Sequence, residues 1–185
     1  MTPGESLPPP WRTRWRVRIG YPVGVGCFLL AHSTVLTLVA GAAIALAGLV
    51  LRAAAAGHLR KHEVLATSGP YAWTRNPLYL GSLMLGSGFL LATASWIAAA
   101  VAVIYVLLFY PGVMRREEEE LRAEYGAAFD AYARAVPLFW PRPPRSAGSE
   151  SFSWTQYRRN REYQALAGVI VAFAILSAKM WWTAR

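Results

Sequence analysis

Residues 19–51, 76–114 and 163–178 contain no Asp, Glu, Lys or Arg. A helix crossing bilayer hydrocarbon needs about 20 apolar residues. The first two runs are therefore each long enough for two closely turned helices. The third is short and reaches full length only by including Lys179, its amine snorkelling to the surface. With 55% hydrophobic and 16% charged residues and a mean hydropathy of +0.29, an ordinary soluble domain is excluded. The expected fold is an all-α integral membrane protein of about five transmembrane helices, with a cytoplasmic helix after the fourth and an interfacial segment before the fifth.

The long runs are interrupted at Ala31-His32-Ser33-Thr34 and Ala92-Thr93-Ala94-Ser95, where small polar residues break the aliphatic pattern without adding charge. With tight turns there, Arg12 to Arg18, Arg52 to Arg75 and Arg115 to Arg161 share one side of the membrane, and only Lys179 and Arg185 fall on the other. This bias places the N-terminus in the cytoplasm and the C-terminus outside, as in a multi-pass protein of a bacterial inner membrane. The net charge of +9 belongs to clusters flanking spans, so anionic lipid headgroups are the expected partner and nucleic acid is not. Cys27 stands alone in an apolar run, so neither an internal disulfide nor a cysteine metal site is expected. A cleaved signal peptide is not expected either, since the apolar run continues well past Gly24-Val25-Gly26-Cys27.

The chain reads as a single membrane domain, 1–185. Residues 1–18, Pro-rich and then Arg/Trp-rich, form an interfacial arm. Spans at about 20–33 and 35–56 make one hairpin, with Gly20, Gly24, Gly41, Ala45 and Gly48 permitting close packing, and spans at about 77–91 and 95–112 make a second. After Pro111-Gly112 a polar helix at about 113–135 carries an apolar stripe of Leu121, Tyr125, Phe129 and Tyr132, which should dock on the membrane core. Val136-Pro137 ends it, and 146–153 forms a flexible linker. Phe152, Trp154 and Tyr157 beside Arg158, Arg159 and Arg161 form an interfacial belt before the last span, about 163–182.

Chemistry concentrates at one membrane face. The stretch Gly69-Pro-Tyr-Ala-Trp-Thr-Arg-Asn-Pro-Leu-Tyr-Leu-Gly81 precedes the second hairpin and Glu117 to Glu120 follow it, and charged groups at such boundaries are costly unless used. These residues, with Tyr125-Gly126, Tyr132, Val136-Pro137 and Pro141, resemble the isoprenylcysteine carboxyl methyltransferase family. Gly86-Ser87-Gly88 followed by Glu117-Glu118 is similar to the related phospholipid N-methyltransferases. The likeness spans about 57–141, which is taken as the methyltransferase core, with 142–185 as linker and final helix.

The resemblance implies an integral-membrane methyltransferase that uses S-adenosylmethionine, releases S-adenosylhomocysteine, and takes a lipophilic small molecule or lipidated substrate sideways from the bilayer. It implies reaction-centre roles for Arg75, Tyr79 and Glu118. Cofactor contacts are implied for His58, His62, Gly69, Tyr71, Asn76, Pro77, Gly86, Gly88, Glu117 and Glu118, with no metal. The chemistry is compatible. A guanidinium can hold a carboxylate through paired hydrogen bonds, and carboxylates can accept from an ammonium or ribose hydroxyls. Four consecutive Glu on a helix cannot share one pocket, so Glu119 and Glu120 are expected in solvent. Gly86 and Gly88 serve equally well as helix-packing residues, and His58 or His62 as surface groups. A carboxylate acceptor needs no base, which favours ester formation. Amine methylation of a phospholipid needs a raised Glu pKa to take the proton. More remote readings are a sterol-type reductase using NADPH and a non-catalytic scaffold. The last span closes the lipid side of the pocket or forms a homodimer contact.

Overall fold

A computed structural model describes residues 11–60, 63–144, 148 and 150–185. Among them are seven helices and no strand: α1 Trp11–Leu29, α2 Val35–His58, α3 Pro77–Thr93, α4 Trp96–Tyr125, α5 Ala127–Ala135, α6 Trp154–Arg159 and α7 Tyr163–Thr183, with one 3-10 turn at Gly69–Ala72. Three of these, α2, α4 and α7, are long and apolar enough to cross a membrane. The other two expected spans fall short of that length and composition, α1 beginning in the arginine-rich segment and α3 having 17 residues. Residues 11–18, expected as a surface arm, form the first turns of α1, while 1–10 lie outside the described residues, as does part of the 146–153 linker.

Both sequence breaks become turns, and the small polar residues there explain how. Thr34 caps α2 reciprocally: its Oγ1 accepts from Thr37 N–H at 3.2 Å, and the Thr37 hydroxyl accepts from Thr34 N–H at 3.0 Å. Ala94 closes α3 in the left-handed region at φ 50°, and Ser95 caps α4 by accepting from Ala98 N–H. The turns clip together, His32 N–H donating to the Thr93 carbonyl at 2.8 Å and Ser33 Oγ to that of Ala92 at 2.7 Å. Beneath them Ala31, Leu38, Ala92 and Leu176 form a core that joins α2, α3 and α7, with Phe28, Phe89 and Phe173 packed around it.

The α2–α3 pair is the centre of the molecule. Gly41 lies against Gly88 and Gly48 against Gly81, each so close that a Cβ on one would collide with the carbonyl of the other. Where lipid removes the hydrophobic drive between helices, such close approach supplies the van der Waals attraction. Elsewhere the surface is apolar and exposed, with Leu36, Val39 and Leu46 on α2 and Ile97, Ile104 and Leu107 on α4.

Two expectations change. Lys179 does not simply snorkel, because its Nζ donates to the Phe28 and Leu29 carbonyls at 2.8 and 2.7 Å, satisfying the end of α1 with a cation. Lys179→Met should therefore lower the melting temperature in detergent by an amount equivalent to about 1 kcal/mol. The helix at 113–135 also does not start afresh after Pro111. Instead α4 runs through Pro111 to Tyr125, and the break falls at Gly126, whose φ of 53° and ψ of −126° are open mainly to glycine. Membrane helices tolerate an internal proline because neighbouring groups satisfy the freed backbone. At 30 residues α4 is about 45 Å long against a hydrocarbon layer of about 30 Å, so its last turns project beyond it.

Candidate active site

Starting from the clipped turns, α3 ends after about 25 Å while α4 continues upward. The segment before α3 is therefore overhung by the carboxylate-bearing end of α4 and by α5. Pro77 occupies the first turn of α3, where its missing N–H costs nothing. Asn76 precedes it without capping the helix: its Nδ2 donates to the Leu138 carbonyl at 3.0 Å. Thr74 Oγ1 lies 3.3 and 3.0 Å from the Leu138 and Phe139 carbonyls, Arg75 N–H donates to Pro137 at 2.9 Å, and Arg142 N–H donates to Trp73 at 3.0 Å. The segment after α5 is thus stitched along the 73–76 loop. Thr74 is 1% exposed and Asn76 8%, so these bonds satisfy polar side chains that are themselves buried. Thr74→Val should cost about 1–3 kcal/mol of stability, read as a fall in the detergent melting temperature.

Of the apolar stripe, the two α5 residues dock, and the break at Gly126 separates them from Leu121 and Tyr125, which are half-buried on α4. Phe129 is 1% exposed, and Tyr132 O–H donates to the Tyr71 carbonyl at 2.8 Å. Burial raises the pKa of both phenols above the ordinary tyrosine value, and Tyr71 is raised further by Tyr132 and by the carboxylates of Glu117 and Glu162. Both therefore stay neutral at physiological pH.

Held this way, Arg75 Nη1 lies 2.6 Å from Glu118 Oε1, both side chains being largely buried. The distance makes an ion pair, but Glu118 Oε1 and Arg75 Nε have no hydrogen bond among the described residues. The two observations are compatible: the charges attract at contact, while the N–H direction is wrong for a hydrogen bond and leaves bonding capacity unused. Beside them Tyr79 O–H donates to Glu117 Oε1 at 2.6 Å, and its ring meets Tyr110 edge-on at 5.6 Å. Glu120 pairs with Arg116 on the exposed side at 2.7 Å.

Gly86 is two helical turns beyond Tyr79 on the same side of α3, with nothing within 4 Å of where a Cβ would sit, whereas Gly88 lies against Gly41 and Ala45 of α2. Gly69, at φ 55°, leaves no room for a Cβ above the His58 ring. His58 Nδ1 lies 2.8 Å from the Ala54 carbonyl, which can only accept, so Nδ1 carries the proton. His62 lies outside the described residues. An apolar groove of about 310 Å³, lined by Leu51, Pro70, Trp73, Thr74, Leu80 and Pro141, opens beside the same loop.

A second ion pair, not anticipated as part of the site, joins Arg52 of α2 to Glu162, which is 6% exposed. A signal for it exists. Arg52 is the first charge after the first uncharged run and Glu162 the last before the third, as Arg75 is the last before the second.

Residues 22–128 match the family model described as phospholipid methyltransferase. The chain belongs to the phospholipid methyltransferase family. Two curated relatives are similar to this phospholipid methyltransferase family member over part of their length. The cobalt-zinc-cadmium resistance protein CzcN of Cupriavidus metallidurans is 38% identical over 96 residues, 52% of this chain and 43% of that protein. The nickel-cobalt-cadmium resistance protein NccN of Alcaligenes xylosoxydans xylosoxydans is 39% identical over 83 residues, 45% of this chain and 38% of that protein. The matched region spans less than half the length of either relative. No solved structure matches the chain with significance.

Proposed function

We propose that the protein is an S-adenosylmethionine-dependent methyltransferase acting on a lipophilic, membrane-resident acceptor, with a carboxylate as the receiving group. The observation that carries this reading is the Arg75–Glu118 contact, a largely buried pair of opposite charges that each keep an unbonded polar atom. That is an arrangement for receiving a ligand rather than for stability alone, because a buried ion pair with unsatisfied groups repays little of its desolvation cost.

The residues fit the cofactor. Its ammonium and ribose hydroxyls need acceptors, which the Glu117 and Glu118 carboxylates supply, and the open space over Gly86, two helical turns along α3 from Tyr79, admits a bulky group. When bound, S-adenosylmethionine supplies an electrophilic methyl group that a nucleophilic oxygen or nitrogen accepts. Arg75 orients the acceptor carboxylate through its unused Nε. Tyr79 and Tyr110 wall the site on the α3–α4 side, and the overhanging α5 limits water. Positioning alone is worth several kcal/mol, so no nucleophile and base pair is required. The apolar groove at Trp73 and Leu80 is suited to the acceptor's hydrocarbon.

Amine methylation is the second reading, supported by the family description and by the carboxylates of Glu117 and Glu118, either of which could take the proton an ammonium must lose. The names of the two relatives identify no methyl acceptor. We place the Arg75 end of the bundle on the cytosolic side, because Arg52, Arg60, Arg75 and Arg115 all lie there.

The test uses the detergent-solubilised protein. S-adenosylhomocysteine should raise its melting temperature and NADPH should not. Incubation of membrane lipid extract with methyl-labelled S-adenosylmethionine should yield base-labile label for an ester and base-stable label for an amine. Absence of both thermal shift and labelled product would overturn the assignment.

A further inference from the structure

Glu162 lies outside the 22–128 stretch that carries the family match, yet it reaches into the same end of the bundle. It binds Arg52 through both oxygens, Nε donating to Oε1 and Nη2 to Oε2 at 3.0 Å. The remaining nitrogen, Nη1, donates to Ser82 Oγ at 2.5 Å and lies 3.4 Å from the Leu78 carbonyl. Ser82 Oγ in turn donates to Leu78 at 2.7 Å. The guanidinium therefore brackets the residue preceding α7 to the opening of α3, which carries Tyr79 between Leu78 and Ser82. Gly81 is the residue that lets the Arg52 chain pass, its Cβ position being filled by Arg52 Cγ.

That opening turn has no side-chain cap of its own, and the hold it receives acts through the Leu78 carbonyl and the Ser82 hydroxyl, since a guanidinium donates and cannot serve the unpaired first N–H groups of a helix. Here Pro77 has no N–H to offer, and no side chain caps the helix because the Asn76 amide is engaged with Leu138. The far end of α7 is already anchored through Leu176 and Lys179, so docking that helix does not by itself require a buried charge at Glu162. A buried ion pair is also a poor source of net stability, apolar replacement often being neutral.

We propose that Arg52 and Glu162 are positioning residues that hold the first turn of α3, and with it Arg75 and Tyr79, in register with Glu118 and Glu117, a role that rests on the methyl-transfer reading for its catalytic consequence. The C-terminal segment thereby becomes part of the working site instead of a passive anchor. Lys179, at the opposite end of α7, has no part in this hold.

The experiment compares the wild type with Arg52→Met/Glu162→Leu, which removes both charges while keeping comparable bulk. Its melting temperature should stay near that of the wild type. Amide hydrogen exchange at Leu80 to Ser82 should quicken by ~10-fold or more. Transfer of labelled methyl to lipid extract should lose ~10-fold or more in kcat with KM for S-adenosylmethionine within ~2-fold. Lys179→Met, which loosens α7 elsewhere, should leave those amides unchanged. If the double variant does not fold, Glu162→Asp, which keeps the charge but shortens its reach, should show the same local quickening in milder degree. Unchanged exchange at Leu80 to Ser82 overturns the bracket. Faster exchange with an unaltered kcat overturns the positioning role. A wild type that methylates nothing in the extract refutes the methyl-transfer reading instead, and the exchange data still decide the bracket.

Discussion

If the proposed methyl transfer holds, Arg75→Ala should leave a bundle that folds and transfers methyl groups far more slowly. The loop that carries Arg75 is held by Thr74, Asn76 and its own backbone, so the fold should survive the truncation. What is lost is the only guanidinium in contact with Glu118 among the described residues, and with it the donor available to an acceptor carboxylate. Removal of one such electrostatic donor should lower turnover by on the order of 10²–10³-fold. Arg75→Lys should recover only part of that, because an ammonium keeps the charge but not the planar fork. Glu118→Gln acts on the other half of the pair and should weaken cofactor binding by about 1.5–3 kcal/mol, the worth of a charged hydrogen bond. Labelled-methyl transfer and the S-adenosylhomocysteine thermal shift measure the two effects separately. An Arg75→Ala protein of normal turnover would remove the reaction-centre role, and an unchanged shift in Glu118→Gln would move cofactor contact to Glu117.

Gly88→Ala should melt well below the wild type, and Gly86→Ala should not. The two glycines lie two residues apart on one helix and have opposite surroundings. A methyl group at position 88 would run into the Gly41 carbonyl and the Ala45 backbone, neither of which can give way without parting α2 from α3. Overpacking of this kind costs about 1–3 kcal/mol. At position 86 nothing lies within 4 Å of the added atom, so alanine should be neutral or stabilising by up to about 1 kcal/mol. Gly86→Leu then separates folding from ligand access: it should keep the melting temperature and lose the S-adenosylhomocysteine shift. A normal shift in Gly86→Leu would show that the space over Gly86 is not where the cofactor lies.

The pair Gly86 and Gly88 also shows how far residue patterns reach. From sequence alone either glycine could serve packing or ligand, because spacing says which residues share a helix face but not which face meets a neighbour. The α2–α3 register sets Gly88 on Gly41 and leaves Gly86 uncovered. Asn76 is similar. Its place next to Pro77 marks a helix start, yet its amide is used to tie the loop to Leu138, a partner no local pattern could indicate.

Uncharged runs, small polar interruptions and boundary charges were enough to establish a helical membrane protein, its two tight turns and the end at which most of its charged residues gather, because the cost of burying charge or unpaired backbone in hydrocarbon acts on each segment separately. Tertiary structure alone decided that α4 continues through Pro111 and bends at Gly126, that Lys179 caps α1, and that Glu162 closes on Arg52. Each of these depends on which helix end lies beside which, and that is set by packing between segments far apart in the chain.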